Sequence, residues 1–395
     1  MRRRIRSEGG FTLVEMLVAV GIMVTVTGAI FAVFAPTQGT FQAQAELSDL
    51  QQRLRVGVES VAKDLVMAGA GTYGGPAAGP LVNFFAPILP YRVGTAGADA
   101  PGTARSDAVT IVHVPATPAQ TTIHDAMPSS STEVTVNQQP GCPSGGDSCG
   151  FSDGMRVAIF DAAGFFDVFT VTSVASSVLH LRHRDGGGSW AYEAGAYIAQ
   201  VSSDTYYFEA TALQLRRFDG YQTDLPVVDN VVGLSFEYFG EPSAPALRRP
   251  LTDPQGPWTT YGPKPPAIDV DRGADSWPAG ENCVFAVNGP NQVSRLASLG
   301  SPEAALVPLT QAMLTDGPWC PDPNALNRYD ADLLRVRRVS VTLRVQTGAA
   351  SLRGSASTAS DALFRRGGTS LGGYRYVPDE EIRFDVTPRN LNFGR

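Results

Sequence analysis

Apolar residues run from Phe11 to Ala35 (FTLVEMLVAVGIMVTVTGAIFAVFA) with one charge among them, Glu15. Twenty-five residues at about 1.5 Å rise make roughly 37 Å of helix, enough to cross a hydrocarbon core of about 30 Å. The pattern predicts a transmembrane helix over 11–35. Beyond Pro36 the pattern turns amphipathic. Leu47, Leu50, Leu54, Val58, Val61 and Leu65 recur at steps of three and four and share one helical face. Glu46, Asp49, Gln52, Arg53, Glu59 and Lys63 take the other faces, and Gly69-Ala70-Gly71 stops the pattern. Residues 36–68 therefore continue the helix, with an apolar stripe that needs a sheet to cover it. Gly21, Gly28 and Pro36 are the places where this stalk can bend.

Residues 69–104 are rich in Gly, Pro and Ala and read as a connecting loop. From 105 to 395 the dominant period is two, the mark of strands. Short β-branched and aromatic runs fall at 107–114, 156–160, 168–174, 178–182, 205–208, 213–218, 231–239, 339–345 and 382–386. The expectation is an α+β chain: a long N-terminal helix packed on a β-rich, mainly antiparallel head of one sheet or two. Two stretches break the strand pattern. Residues 115–153 are polar, and 241–330 carry ten prolines before position 291, so both read as long insertions.

Charge sharpens the N-terminal reading. Four arginines lie within the first six residues, ahead of the apolar run, which predicts that this end stays in the cytoplasm and that everything after Ala35 is exported. A secretory signal has a shorter apolar core with small residues on its far side. Here Gly9 and Gly10 come before it. The whole chain has 31 Lys and Arg against 38 Asp and Glu. Without residues 1–10 the balance is 27 against 37, so no bulk attraction to nucleic acid is expected. The two lysines, Lys63 and Lys264, follow no Gly-rich strand-to-helix turn, which excludes a P-loop.

The junction Gly10-Phe11-Thr12-Leu13-Val14-Glu15 resembles the prepilin motif of type IV pilins and type II secretion pseudopilins. The resemblance implies a leader over 1–10, cleavage between Gly10 and Phe11 by prepilin peptidase, and methylation of the new N-terminus. It also implies that Glu15 pairs during assembly with the freed amine of a neighbouring subunit. A carboxylate in a membrane helix costs a few kcal/mol and is normally kept for a partner, though near the helix start it can also snorkel to the interface. Patches at 154–157, 167–171, 228–238 and 333–339 are similar to minor pilins of the PilW type, close in plan to J-type minor pseudopilins.

What this likeness implies is a non-enzymatic minor pilin, at or near the tip of a type IV pilus, that helps to start assembly. A minor pseudopilin of type II secretion is the alternative; another is an adhesin or DNA-uptake receptor using the 241–330 insertion. The partners implied are other minor and major pilins, prepilin peptidase, the inner-membrane assembly platform and the lipid bilayer. The implied location is the bacterial inner membrane, head periplasmic, and then the pilus surface.

The remaining candidates are weaker. Cys142, Cys149, Cys283 and Cys320 are an even set in an exported chain, so disulfides are expected. Cys142 with Cys149 and Cys283 with Cys320 are nearest in sequence, but three connectivities are possible. Asp322, Asn324, Asp330 and Asp332 form an oxygen-rich group that would suit Ca²⁺, although the spacing is not that of an EF-hand and Asx residues also form ordinary turns. His180 and His183, with Asp185, fall on opposite faces of a strand and read as exposed strand-end residues rather than ligands or an acid/base pair. Arg335, Arg337 and Arg338 read as cover for a solvent face. No Gly-x-Ser-x-Gly or His-Glu-x-x-His motif occurs, and nothing calls for a cofactor.

Overall fold

The computed structural model describes residues 10–72, 79–94, 96–144, 146–183, 190–246, 261–265, 277–301, 305–325, 327–353 and 377–392. One helix, α1 (Leu13–Met67), is followed by an antiparallel β-rich head. α1 passes through Pro36 unbroken. The chain divides into two compact units, Met1–Gln52 with Gln346–Asp379, and Arg53–Val345 with Glu380–Arg395.

In the first unit, Glu46 of α1 holds the segment around residue 348. Its Oε2 accepts from the Thr347 hydroxyl (2.6 Å) and from the backbone N–H groups of Gly348 (3.1 Å) and Ala349 (3.5 Å). These donors lie at the start of a 3-10 turn, Ala350–Leu352, where a carboxylate is favoured. Val377 N–H returns to the Leu352 carbonyl at 3.2 Å.

Among the described residues the second unit contains three larger sheets and two hairpins. The first sheet has the order β1 (Ile88–Leu89), β2 (Ala108–His113), β9 (Ser202–Glu209), β10 (Gln214–Phe218), β11 (Asp224–Asp229). The second has the order β15 (Val307–Leu309), β12 (Val231–Gly240), β18 (Val336–Val345), β19 (Glu380–Val386). Both sheets meet the distal part of α1 at Gly57. A Cβ there would stand 2.6 Å from Leu343 Cδ2 of β18, 3.1 Å from Val228 Cγ2 of β11 and 3.8 Å from Leu215 Cδ2 of β10. Leu54, Val61 and Leu65 of the expected stripe are buried, each contributing about 2 kcal/mol, whereas Val58 is half-buried. The helix ends at Gly69 (φ 75°), whose N–H bonds to the Val112 carbonyl of β2 at 3.0 Å.

The third assembly is a six-stranded sheet of order β3 (Gln120–Thr122), β8 (Tyr197–Gln200), β5 (Arg156–Phe160), β6 (Phe166–Ala175), β7 (Val178–His183), β4 (Glu133–Thr135). Its two edges meet. Ile123 bridges Val136, His124 N–H bonds to the Thr135 carbonyl (2.8 Å) and Asn137 N–H to the Thr122 carbonyl (2.9 Å), so the sheet closes into a barrel. Its interior is filled by Ile123, Val134, Val136, Phe151, Val157, Ile159, Phe169, Val171, Leu181 and Ile198 among others. Cys149 is fully buried in this core and bonded to Cys142. The barrel is inserted between β2 and β9, which pair up to His113↔Ser202.

Several expectations change. The 115–153 stretch is no polar insertion by itself, because it supplies β3 and β4, and the inserted body runs to residue 200. The 69–104 connection carries a 3-10 turn at Leu81–Asn83 and buries Leu81, Val82, Phe84, Phe85, Ile88 and Leu89. Phe84 and Phe85 form an aromatic seam with Phe160, Phe166 and Tyr197 at the base of the barrel. Within 241–330 lie two hairpins, β13 (Phe285–Asn288) with β14 (Asn291–Ser294) and β16 (Trp319–Cys320) with β17 (Tyr329–Asp330), and a disulfide joins Cys283 to Cys320.

The three arginines after the last hairpin do not share a solvent face. Arg335 and Arg337 are fully buried, and only Arg338 is partly exposed, 3.7 Å from Asp385. The reason lies in three described residues of the 241–330 stretch, Glu241, Tyr261 and Ala297, which meet these side chains. Arg335 donates to the carbonyls of Glu241 (3.4 Å) and Ala297 (3.1 Å). Arg337 donates to the Leu334 and Val336 carbonyls, stands 3.4 Å from the Glu241 carboxylate and lies over the Tyr261 ring at 4.6 Å. The Nη groups of both guanidiniums are met by backbone carbonyls, while each Nε makes no hydrogen bond and lies only near a carboxylate, Asp332 for Arg335 and Glu241 for Arg337.

Candidate functional site

At the N-terminal end, Gly10, Phe11 and Thr12 precede the first residue of α1 and are exposed. Thr12 and Glu15 form a reciprocal cap. Glu15 Oε2 accepts from the Thr12 N–H (2.8 Å) and hydroxyl (2.9 Å), while the Thr12 hydroxyl accepts from the Glu15 N–H (3.3 Å). This is a capping box, Thr-x-x-Glu ahead of an apolar run, and it satisfies donors that the first turn leaves open. The spacing was visible in the sequence, but the intramolecular partner was not anticipated. The cap starts the helix at Leu13 and leaves the Gly10–Phe11 peptide outside it.

Leu13–Ala32 is long and apolar enough to cross a membrane, with a mean hydropathy of 2.2 and none of it buried in the protein. Phe11, Leu13, Met23 and Phe31 are each at least two-thirds exposed. A row of bare apolar side chains of this length needs lipid or another helix around it.

The other candidates resolve differently. Asp330 and Asp332 come together with Asp316, their carboxylate oxygens all within 4.8 Å of one another. Asp322 is outside this group. Its Oδ1 accepts from the Asn324 N–H at 2.7 Å in a local turn. Asp330 caps a 3-10 turn, Ala331–Arg335, taking the Asp332 N–H on Oδ1 (2.8 Å) and the Gly317 N–H on Oδ2 (2.6 Å). Burial, reinforced by Asp332 and Asp316, pushes the Asp330 carboxyl up to about 7. Burial likewise raises Asp332 to about 6, against the pull of Arg335, whose Nε lies 2.7 Å from its Oδ1.

The two histidines do not converge. His180 pairs with Glu133 of β4 at 3.0 Å. His183 is nearly buried rather than exposed, with Nε2 3.0 Å from Asp167 Oδ1. Asp167 Oδ2 also accepts from the Tyr192 hydroxyl (2.9 Å) and the Trp190 N–H (2.8 Å). This buried group ties β6 and β7 to the segment at 190–192 that precedes β8. Asp185 lies outside the described residues.

Sequence reasoning also missed a polar network under the last turns of α1. Tyr206 donates to Asp64 Oδ2 (2.8 Å) and lies 2.9 Å from the Ser60 hydroxyl, and Arg217 bridges Asp204 (2.9 Å) and Asp64 (3.3 Å). Asp64 sat among charged helix positions, so only the cross-strand neighbours reveal its burial.

Residues 5–31 match the family described as "Prokaryotic N-terminal methylation motif". A search of curated proteins finds no match. The motif supports a type IV pilin-like protein, a pilin or pseudopilin, and implies processing by prepilin peptidase and assembly with other pilins. The exposed apolar helix that follows fits a membrane-anchored prepilin.

Proposed function

We propose that the chain is a minor pilin of the PilW type, cleaved between Gly10 and Phe11, methylated on Phe11 and placed at or near the tip of a type IV pilus, where it primes assembly. The observation that carries this reading is the Gly10–Glu15 junction at the start of a bare apolar helix. The minor role is favoured by the inserted barrel and the 241–330 stretch, which enlarge the head beyond what close repetition along a shaft tolerates. In this reading Glu15 exchanges its cap on Thr12 for the amine of a neighbouring Phe11. The head belongs in the periplasm before assembly and on the pilus surface afterwards, and its role is structural rather than enzymatic.

The test is a deletion strain with complementation, scored for pilus number and for the ratio of this chain to the major subunit in sheared filaments. The reading expects few or no pili in the deletion and a ratio far below one. Equal amounts along the filament would overturn it. Intact pili together with loss of protein secretion would favour the pseudopilin reading, which the same N-terminus supports.

A further inference from the structure

Both crossings of the chain between the first sheet and the barrel border an open polar cleft of about 530 Å³. Its lining includes His113 and Ser202, the last cross-strand pair of the β2–β9 ladder, together with Asp153, Arg156 and Gln200 from the barrel side. Pro115, Met155 and Val201 supply the apolar part, and no aromatic residue is present. His113 is more than nine-tenths buried, and its Nδ1 is enclosed without a hydrogen-bond partner. An orphan ring nitrogen is tolerated most easily as a bare lone pair, which puts the proton on Nε2.

The groups on the rim are mixed in kind and nearly balanced in charge. Arg156 is neutralised by Asp219, which takes its Nη1 on the backbone carbonyl and lies 3.3 Å away through Oδ2. That leaves Nε and Nη2 as donors. Gln200 Oε1 accepts from the Thr117 hydroxyl at 2.6 Å, leaving its NH₂ as a donor. Asp153 is exposed and contributes an acceptor. We propose that this cleft is a binding site for a neutral sugar. A hydroxyl both donates and accepts, so a ring carrying several of them matches alternating donors and acceptors where a pure anion or cation does not. The Asp153 carboxylate disfavours a phosphate, a single carboxylate is too few for a divalent ion, and the sparse apolar lining disfavours a lipid chain. Burial pulls the His113 imidazole below its ordinary range, opposed by Asp64 and Asp204 and aided by Arg217, and so keeps it a neutral hydrogen-bonding group.

The test uses the full chain in a detergent without a sugar headgroup. Saturation-transfer NMR is run with glucose, galactose, mannose and N-acetylglucosamine, with glycerol and inorganic phosphate as controls. At least one sugar is expected to bind with Kd of about 1 mM. Asp153→Ala and Gln200→Glu should weaken it about tenfold or more. Gln200→Glu keeps an acceptor for Thr117 but exchanges the NH₂ donor for a charged carboxylate oxygen, and both variants should keep the thermal midpoint. Absence of transfer to every sugar, equal transfer in the two variants, or transfer to phosphate alone would each overturn the proposal.

Discussion

The Glu15 carboxylate is already engaged within its own chain, by the Thr12 N–H at 2.8 Å and the Thr12 hydroxyl at 2.9 Å. If Glu15 pairs with a neighbour's amine as proposed, that amine displaces a cap rather than finding a bare charge. Glu15→Leu should leave membrane insertion intact or improve it, because an apolar side chain replaces a charge in lipid. The protease resistance of the head should not change. Abundance in sheared filaments should fall at least about tenfold, which is the loss of roughly 1.4 kcal/mol in recruitment. Normal abundance would show that Glu15 is not an assembly contact in this chain.

Because the helix starts at Leu13, the Gly10–Phe11 bond lies in exposed non-helical chain, the form a peptidase can bind. Mass spectrometry of the filament-borne protein should show a chain beginning at Phe11 with one added methyl group. Finding Met1 at the start of that protein would refute this cleavage.

At Gly57 α1 lies against side chains of both sheets, and replacement of this glycine sets two terms against each other. Alanine favours a helix interior by about 1 kcal/mol over glycine. A methyl group 2.6 Å from Leu343 Cδ2 forces the buried Leu343 side chain, or the elements around it, to give way, at about 1–3 kcal/mol. Gly57→Ala should therefore be neutral to destabilising, and Gly57→Val clearly destabilising, measured by chemical unfolding of the full chain. A stabilised Gly57→Val would mean that the helix does not sit against Leu343 and Val228.

Much of this architecture follows from local pattern. The alternation over 156–160 places β5 on its observed bounds, and Val231–Gly240 and Val336–Val345 extend the runs read from the sequence by a residue or a few at their ends. β11 escaped because Asp224, Pro226 and Asp229 look like turn chemistry, which an edge strand tolerates. Barrel closure escaped for a different reason. It rests on Ile123 meeting Val136 and Cys149 entering the core, contacts that no window along the chain contains. Arg335 and Arg337 looked like solvent cover because charge alternated with apolar residues. Their partners, Glu241 and the Ala297 carbonyl, are far away in sequence. At the N-terminus the motif was legible because its residues are contiguous, whereas the Thr12 cap on Glu15 was not foreseen.

Asp330 offers a test of the acidic group through pH. Its folded pKa is about 7 against 3.8 for the unconstrained side chain, and Asp332 is raised in the same direction to about 6. A carboxyl raised in the folded state binds more protons folded than unfolded between the two values. Its contribution is fully present below pH 3.8 and is lost as pH rises through 7. Asp330→Asn removes that titration. It also turns one acceptor into a donor facing the Gly317 N–H, a cost of about 1 kcal/mol that does not depend on pH. The stability of the variant relative to the parent should therefore rise steadily from pH 5 toward pH 7 and level off by pH 8, by a few kcal/mol at most. His113 works on the acid side, where its lowered pKa makes the fold lose stability below about 6.5, but it is common to both proteins and cancels in the difference. Thermal unfolding in EDTA across pH 5–8 measures the slope directly. A difference that stays flat over that range would mean that Asp330 is ionised throughout, with the Gly317 and Asp332 N–H groups outweighing its burial.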